Sequence, residues 1–499
     1  MKKATLIATL AAPPSAEGTE LSALPDTVGW LEVRSDLLGD LDPDWLRSRF
    51  RGRLLYALRS SAEGGDFAGP LRQRHERLMK AARGYDLVEL EAERDSTADV
   101  LAEIPAHKRL LSWHGDDCDL PSLKNRFGRL AACPAALYRL VTKAAKGSGE
   151  LAVLSLLRSL GRADTLAYST GPLGFWTRLV APHLGAPVVI GSVPDGRSAP
   201  AEPSINRLIE DYGLPLLAPL EGLYGIVGNP VFHSLSPRLH NAAYRALDHP
   251  ALFVPFQVDS FTEFWHEVVR GGVLESVGVP IKGLTVASPH KETALATAMT
   301  ASRMARRAES ANILVQDDGA WKADTTDPEV VFTAQREHGV QTERKRAAVI
   351  GCGGAGRAIA AALDLNGAGV TMVNRGAERG RYAARLLDLP YTPLSTFSAG
   401  GFDLVVNATP VGRDDGEVPF DLETLGAEGV VIDLVYGSAP TPLVAGAGRN
   451  GRVVIDGREV LLAQVLRQFR MMTGREMPES LAREKLGLAV EASDLVAAG

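Results

Sequence analysis

Cysteine is scarce. Cys118, Cys133 and Cys352 are the three in 499 residues, an odd number with no CxxC pair. That excludes a disulfide framework and a structural zinc site and leaves a reducing cytoplasm as the expected setting. Positive charge is not in excess: 54 Lys and Arg against 60 Asp and Glu leave a formal charge of −6. With no basic run and no basic–aromatic stripe, nucleic acid is not an expected partner. No apolar run reaches the ~18 residues of a membrane span, so no membrane association is expected. The opening Met1-Lys2-Lys3 and ATLIATLAAPPSA resemble a weak signal peptide. The apolar run is short, holds two threonines and reads better as a first strand. Internal repeats are lacking, and low complexity is confined to the Ala/Gly-rich tail.

What is present is an ordinary globular composition, 45% apolar and 23% charged. The length suits about three domains at roughly 150 residues each. Residues 1–218 alternate short β-like runs with helical stretches. The runs are Ala4–Leu10, Trp30–Ser35, Arg53–Arg59, Asp86–Glu91, Arg109–His114, Leu137–Lys143, Thr165–Ser169 and Pro187–Ser192. Eight strand–helix units in this space predict a small (β/α)8 TIM barrel. The Pro-containing stretch 214–219 is the candidate linker. A second α/β region follows from Gly222 to about Val340. A dinucleotide-binding pattern then runs from Arg346 to about Ile455, and an amphipathic stretch, Val460 to Met472, reads as a helix.

Polar residues recur where the predicted barrel strands end: Glu32 and Arg34, Arg59 with Glu63-Gly64-Gly65, Glu91, His114, Lys143, Arg178, and Ser198 with Glu202. In a barrel these ends converge on one mouth. A lysine there, if desolvated and neutral, attacks a ketone to form an imine. A histidine moves the proton, and arginine forks hold a carboxylate. The strings LEVRSD, ALRSSAEGG, VELEAERD, LLSWHGDD, LVTKAAK, TRLVAPHLG and SAPAE resemble the type I 3-dehydroquinate dehydratase family in order and spacing. The resemblance implies Lys143 as Schiff-base lysine, with Lys146 as an alternative, and His114 as general acid/base tuned by Glu91. Glu32, Arg34, Arg59, Arg178 and Ser198 would bind substrate. The family carries glutamine where this chain has Glu202, also a candidate substrate contact.

Farther on, GNPVFHSLSPRLHN, KGLTVASPHK, the Asn312 segment and Asp324-Thr325-Thr326-Asp327 resemble the shikimate dehydrogenase family. A lysine beside a carboxylate relays the proton of alcohol–ketone chemistry. The resemblance implies Lys291 and Asp327 for catalysis and Ser234, Ser236, Thr285, Asn312 and Gln464 for substrate. Ser236 also reads as a helix cap ahead of Pro237. The family carries Asn and Thr where this chain has Thr285 and Ala287, which keeps quinate open as an alternative substrate.

Ala347–Ile350 leads into Gly351-Cys352-Gly353-Gly354-Ala355-Gly356, a G-x-G-x-x-G turn in strand–turn–helix context. The next strand ends at Asn374-Arg375 with no acidic residue for a ribose. Arg375 and Arg379 suit a 2′-phosphate, so NADP is the expected cofactor. Asn407, Thr409, Tyr436 and Gly457 resemble the family's cofactor-side residues.

The whole reads as 1–218 barrel, 219–340 α/β substrate lobe, 341–455 Rossmann-type NADP lobe and 456–499 helical segment returning to the substrate lobe. The implied activities are dehydration of 3-dehydroquinate and NADPH-dependent reduction of 3-dehydroshikimate. A metabolite-sensing regulator built from the same folds is the alternative of another class. No metal site is expected, and the oligomeric state is not readable.

Overall fold

In the computed structural model the described residues are 2–116, 119–144, 149–194, 202–437 and 439–489. They form two compact units, Met1–Ile281 and Lys282–Gly499.

The first unit begins with eight parallel strands: β1 (Thr5–Leu10), β2 (Val28–Arg34), β3 (Arg53–Ala57), β4 (Leu87–Glu91), β5 (Arg109–Asp116), β6 (Leu137–Lys143), β7 (Thr165–Thr170) and β8 (Val188–Ser192). The ladder runs β7-β6-β5-β4-β3-β2-β1-β8. Thr177–Val180 contacts both outer strands, making a nearly closed barrel. All eight expected strands form within two residues of their expected bounds. Strands covered on both faces read as near-continuous buried runs, the pattern seen along β4 and β6. Crossover helices include α1 (Leu71–Gly84), α2 (Leu120–Ala131) and α3 (Leu151–Leu160). Asp119 caps α2 through the Ser122 N–H, and Gly161 ends α3 in the left-handed conformation.

The first apolar run, Thr5–Leu10, is the barrel strand expected of it. The stretch expected to be a linker is tied down. Leu216–Leu217 pairs antiparallel with Lys2–Lys3, and the Ala4 N–H donates to the Pro215 carbonyl at 3.0 Å. Its backbone thus completes the barrel floor. Just before it comes α4 (Ile205–Tyr212), and beyond it the same unit holds β9 (Gly222–Gly228), paired parallel with β10 (Ala251–Gln257), and α5 (Ser236–Ala246), which neighbours α4. Asp211 on α4 accepts from Arg207 and Arg238 at 3.1 and 2.7 Å. The buried Asn241 donates to the Asp211 and Phe253 carbonyls at 3.0 and 2.8 Å and accepts the Phe253 N–H at 2.8 Å. Phe175 meets Phe232, and Trp176 meets Phe256, at ring separations of 5.0 and 5.1 Å.

The second unit takes in β11 (Ile281–Val286), α6 (Lys291–Thr297), β12 (Ile313–Asp317), β13 (Ala320–Asp324) and α7 (Glu329–His338). The β12–β13 hairpin turns at Asp318-Gly319, both at positive φ, as a two-residue turn requires. Then come β14 (Arg346–Ile350), α8 (Gly354–Leu365), β15 (Gly369–Asn374), β16 (Tyr391–Pro393), β17 (Leu404–Asn407), β18 (Val430–Asp433), β19 (Val454–Ile455) and α9 (Gly457–Thr473). These six strands run in the order β16-β15-β14-β17-β18-β19, all parallel. That is the doubly wound dinucleotide-binding order, and its direction reverses at β14, where ligands bind. A capping box of Asp456 and Glu459 starts α9 three residues before its expected start. Among the described residues no helix is long and apolar enough to cross a membrane.

Asn241→Ala leaves three buried backbone groups short of a partner. The expected cost is about 2–4 kcal/mol, seen as a lower urea midpoint at unchanged slope.

Candidate active sites

The strand period of two puts Arg139, Val141 and Lys143 of β6 on one face, level with Ser112, His114 and Asp116 of β5. Arg139 is 1% exposed. Its Nη1 donates to Glu32 Oε1 at 2.6 Å and Glu89 Oε1 at 3.1 Å, and Glu32 also accepts from Thr9 Oγ1 at 2.6 Å. Burial pushes both carboxyls up most strongly, but Arg139, Arg59 and a hydroxyl hydrogen bond to each together hold them below the usual range. Arg59 Nη2 lies 3.7 Å from Glu89.

His114 stands directly above this layer. Its backbone N–H and its Nδ1 both lie 3.0 Å from Glu63 Oε2. Because Oε2 already accepts the backbone N–H, we assign the Nδ1–H tautomer. Nε2 is then buried without a hydrogen-bond partner among the described residues, 3.8 Å from Glu89 Oε1. Burial, then the Arg59 and Arg139 cations, hold His114 well below the ordinary histidine value. Burial and the nearby Glu91 and Glu89 charges push Glu63 up to about 9.

The expected partner of His114 is therefore corrected. Glu91 accepts from the Ser60 N–H and Oγ at 2.6 and 2.7 Å and pairs with Arg74, so its carboxylate is used in holding the loop after β3. That loop carries Glu63 to His114. Gly64 sits at positive φ, and a Cβ on Gly65 would overlap the Arg59 carbonyl. Lys143, the expected Schiff-base lysine, is the last residue of β6, with its side chain exposed at the rim. Arg34 forms a two-pronged pair with Asp36 at 2.9 and 2.7 Å. Arg178 is buried over the Tyr168 ring and donates to the Ile190 carbonyl at 3.1 Å. Glu202 is exposed, and Ser198 and Lys146 lie outside the described residues. Glu89 and Arg139 were missed. Both sit inside strands, where a polar residue in an apolar run is the available signal.

Ser234 and Ser236, in the first unit, are buried. Capping by Ser236 is not what forms: Ser236 is the first helical residue, and its N–H donates to Ser234 Oγ at 3.2 Å.

In the second unit the expected couple is assembled. Lys291 Nζ, at the start of α6, donates to both oxygens of Asp327 at 2.9 and 2.8 Å. Asp327 Oδ1 also accepts from Asn312 and from Gln464 of α9, each at 3.1 Å. Gln468 and Asn312 donate to Thr326 Oγ1, which fixes the Asp327 segment from behind. Thr285 is buried on β11.

The glycine turn has the shape a pyrophosphate needs. Gly351 sits at φ +107°, a Cβ on Gly356 would overlap the Gly351 carbonyl, and one on Gly353 would meet nothing closer than Arg379 Nη2 at 4.0 Å. The open Gly353 leads into the N-terminus of α8, where backbone N–H groups favour an anion. Asn374 Oδ1 accepts the Cys352 N–H at 3.2 Å, supporting the turn. Arg375 is exposed, with no ion pair among the described residues. Arg379 is shared with Glu292 at 3.1 Å, and Glu292 also holds the buried Arg357 at 2.8 Å. These residues fit a phosphorylated dinucleotide. Asn407 binds Asp433 at 2.9 Å and accepts from Thr409 Oγ1 at 2.7 Å, so both residues shape the loop after β17. A Cβ on Gly457 would overlap the Val435 carbonyl, beside the half-buried Tyr436.

Residues 19–215 match the type I 3-dehydroquinase family, and residues 226–314 match the shikimate dehydrogenase substrate binding domain. A shikimate dehydrogenase (NADP(+)) of Syntrophobacter fumaroxidans is 34% identical over 264 residues, 52% of this chain and 89% of that protein. The chain belongs to the shikimate dehydrogenase family, with a type I 3-dehydroquinase domain ahead of it. A chloroplastic bifunctional 3-dehydroquinate dehydratase/shikimate dehydrogenase of Arabidopsis thaliana is 25% identical over 483 residues, 90% of this chain and 78% of that protein. A solved shikimate 5-dehydrogenase of Thermus thermophilus, in complex with NADP(H) and shikimate, is 30% identical. It covers 53% of this chain and 98% of its own, with a TM-score of 0.48.

For this dehydrogenase family member, Gly356→Ala forces a Cβ into the Gly351 carbonyl. NADPH affinity, measured by nucleotide fluorescence, is expected to fall roughly 30-fold or more, because the turn must open where the phosphates bind.

Proposed function

We propose that this chain catalyses two consecutive reactions: dehydration of 3-dehydroquinate to 3-dehydroshikimate in the barrel, then NADPH-dependent reduction of 3-dehydroshikimate to shikimate. The observation that carries the reading is the Lys291–Asp327 couple, held by Asn312 and Gln464 in the same unit as a dinucleotide-binding turn. We assign 1–218 to the first reaction and the remainder to the second.

When bound, the nicotinamide supplies the hydride for the ketone. Lys291 Nζ gives a proton to the oxygen as negative charge develops there. Asp327 orients that ammonium, while Asn312 and Gln464 keep Asp327 in place. Ser234, Ser236 and Thr285 contribute hydroxyls to the substrate. Gly351, Gly353, Gly354, Ala355 and Gly356 cradle the pyrophosphate, and Arg375 and Arg379 receive the 2′-phosphate. Asn374, Asn407, Thr409, Tyr436 and Gly457 form the walls around the cofactor.

In the barrel, His114 Nε2 exchanges protons with the substrate and Glu63 fixes its ring. Arg34, Arg59, Arg178 and Ser198 bind carboxylate and hydroxyls, with Glu32 setting their charge balance and Glu202 at the edge. The proposed setting is a reducing cytoplasm, which suits the free thiols of Cys133 and Cys352.

The test supplies 3-dehydroquinate with and without NADPH. Without it 3-dehydroshikimate accumulates, and with it shikimate forms as NADPH is oxidised. A chain that oxidises quinate far faster than shikimate, or turns over neither substrate, overturns the assignment. Lys291→Ala is expected to slow reduction about 10²–10⁴-fold and leave dehydration intact.

The pH dependence follows from His114. It must be neutral to take a proton, and the fold lowers its pKa. The dehydration rate is therefore expected to hold as pH falls through ~6.5 and to decline only at more acid pH. A decline centred at the ordinary histidine value in a kcat–pH profile counts against this environment.

A further inference from the structure

The segment 229–235, which carries Ser234 and leads into Ser236, belongs to no helix or strand. With no ladder of its own, it depends on anchors to keep two hydroxyls in place. Within it, the Ser234 N–H donates to the Val231 carbonyl at 3.0 Å and the Ser236 N–H to Ser234 Oγ at 3.2 Å. Accepting uses a lone pair of Ser234 and not its hydroxyl hydrogen. Asn229 Nδ2 fixes the start of the segment by donating to Asp259 at 2.9 Å. Two further anchors come from the barrel half. Helix α4 follows β8, and Ser204 caps it through the Arg207 N–H at 3.3 Å. Arg207 Nε donates to Asp211, one helical turn on, at 3.1 Å. The other arm of Arg207, Nη2, donates to the Phe232 carbonyl at 2.6 Å. The guanidinium also lies over the Phe175 ring, 5.8 Å from its centre, and Phe175 meets Phe232. Asp211 is buried and accepts from Arg238 Nε of α5 at 2.7 Å. The barrel pair therefore reaches the serine segment on both sides: at Phe232, two residues before Ser234, and at Arg238, two residues after Ser236.

We propose that Arg207 is a positioning residue for the reduction: a cation of the dehydratase barrel sets where Ser234 and Ser236 meet the ketone substrate of the neighbouring enzyme. This rests on the reading above that gives those serines to the substrate. Arg207 makes two bonds in fixed directions from one planar group, to a carboxylate and to a carbonyl, so the Phe232 backbone and helix α5 are held at one spacing. The bond to Phe232 is charge-assisted and short, which makes it the stronger kind. Losing it removes no group that touches substrate. It lets the serine segment take other placements, so substrate binding weakens in the ground state and the transition state alike. KM then rises while kcat holds. The Lys291–Asp327 couple and the glycine turn keep bonds of their own and are untouched.

The experiment uses the full chain and follows reduction of 3-dehydroshikimate at saturating NADPH. Arg207→Met keeps the apolar stem and removes both bonds. Its KM for 3-dehydroshikimate is expected to rise roughly 5–10-fold, about the worth of one lost hydrogen bond. Its kcat, its NADPH affinity and its dehydration rate are expected to stay at wild-type values. Arg207→Lys keeps the cation but not the fork, and a rise of roughly threefold is expected. A merely structural role would lower the active fraction, and so kcat in both reactions, and leave KM alone. Ser234→Ala supplies the second reading. It raises KM by itself, and adding Arg207→Met is expected to raise it little further, because the two act through one contact. A wild-type KM in Arg207→Met, or full additivity with Ser234→Ala, overturns the role of Arg207 and leaves the serines assigned. Should Arg207→Met fail to fold, Arg207→Lys decides, and a wild-type KM there overturns the role. A wild-type KM in Ser234→Ala, or a wild-type chain that does not reduce 3-dehydroshikimate, overturns the reading of the serines and this inference with it.

Discussion

Glu32 and Glu89 are buried side by side on neighbouring parts of the barrel, and Arg139 is the cation that lies between them. Removing one partner of such a group leaves an uncompensated buried charge, typically at a cost of about 3–5 kcal/mol. This constraint orders the mouth from below. With Nη1 committed to the carboxylates, the guanidinium plane is fixed, and Arg59 and His114 take their places around Glu89. The acid–base chemistry above depends on charges settled one layer beneath it.

A single carboxylate does comparable work in the second unit. Asp327 gathers Lys291 from α6, Asn312 from the start of β12 and Gln464 from α9, the last 137 residues away in sequence. Each contact is an ordinary hydrogen bond of modest net worth, about 0.5–1.5 kcal/mol, or more where charged. Their joint effect is geometric. The long helix α9 is tied to this carboxylate's segment because two of its glutamines, Gln464 and Gln468, reach Asp327 and Thr326.

Much of this was legible in the chain. The barrel strands are buried on both faces, so their apolar runs stand out between helical stretches, and Leu137–Lys143 was delimited to the residue. The Lys291–Asp327 couple and the glycine turn were legible because each lies in a short motif with a local physical reason. The choice between Glu63 and Glu91 was not. It turns on a glycine-bearing loop that folds back over His114, and strand periodicity says nothing about such returns. Arg139 was hidden for the opposite reason: inside LYRLVTK it interrupts an apolar run, and only the register with β5 and β2-borne Glu32 reveals its neighbours. The stretch 214–219 looked like a tether from its prolines, yet its backbone pairs with Lys2–Lys3.

The segment after β7 has two commitments. Phe175 and Trp176 lay their rings against Phe232 and Phe256, which belong to the stretch after the barrel, and two residues later Arg178 is buried over Tyr168. The barrel is therefore not an interchangeable cassette. Excising it at the apparent joint would bare two aromatic rings within three residues of a mouth arginine. Exchange of this half between lineages would then require Phe232 and Phe256, or good mimics of them, to travel with it.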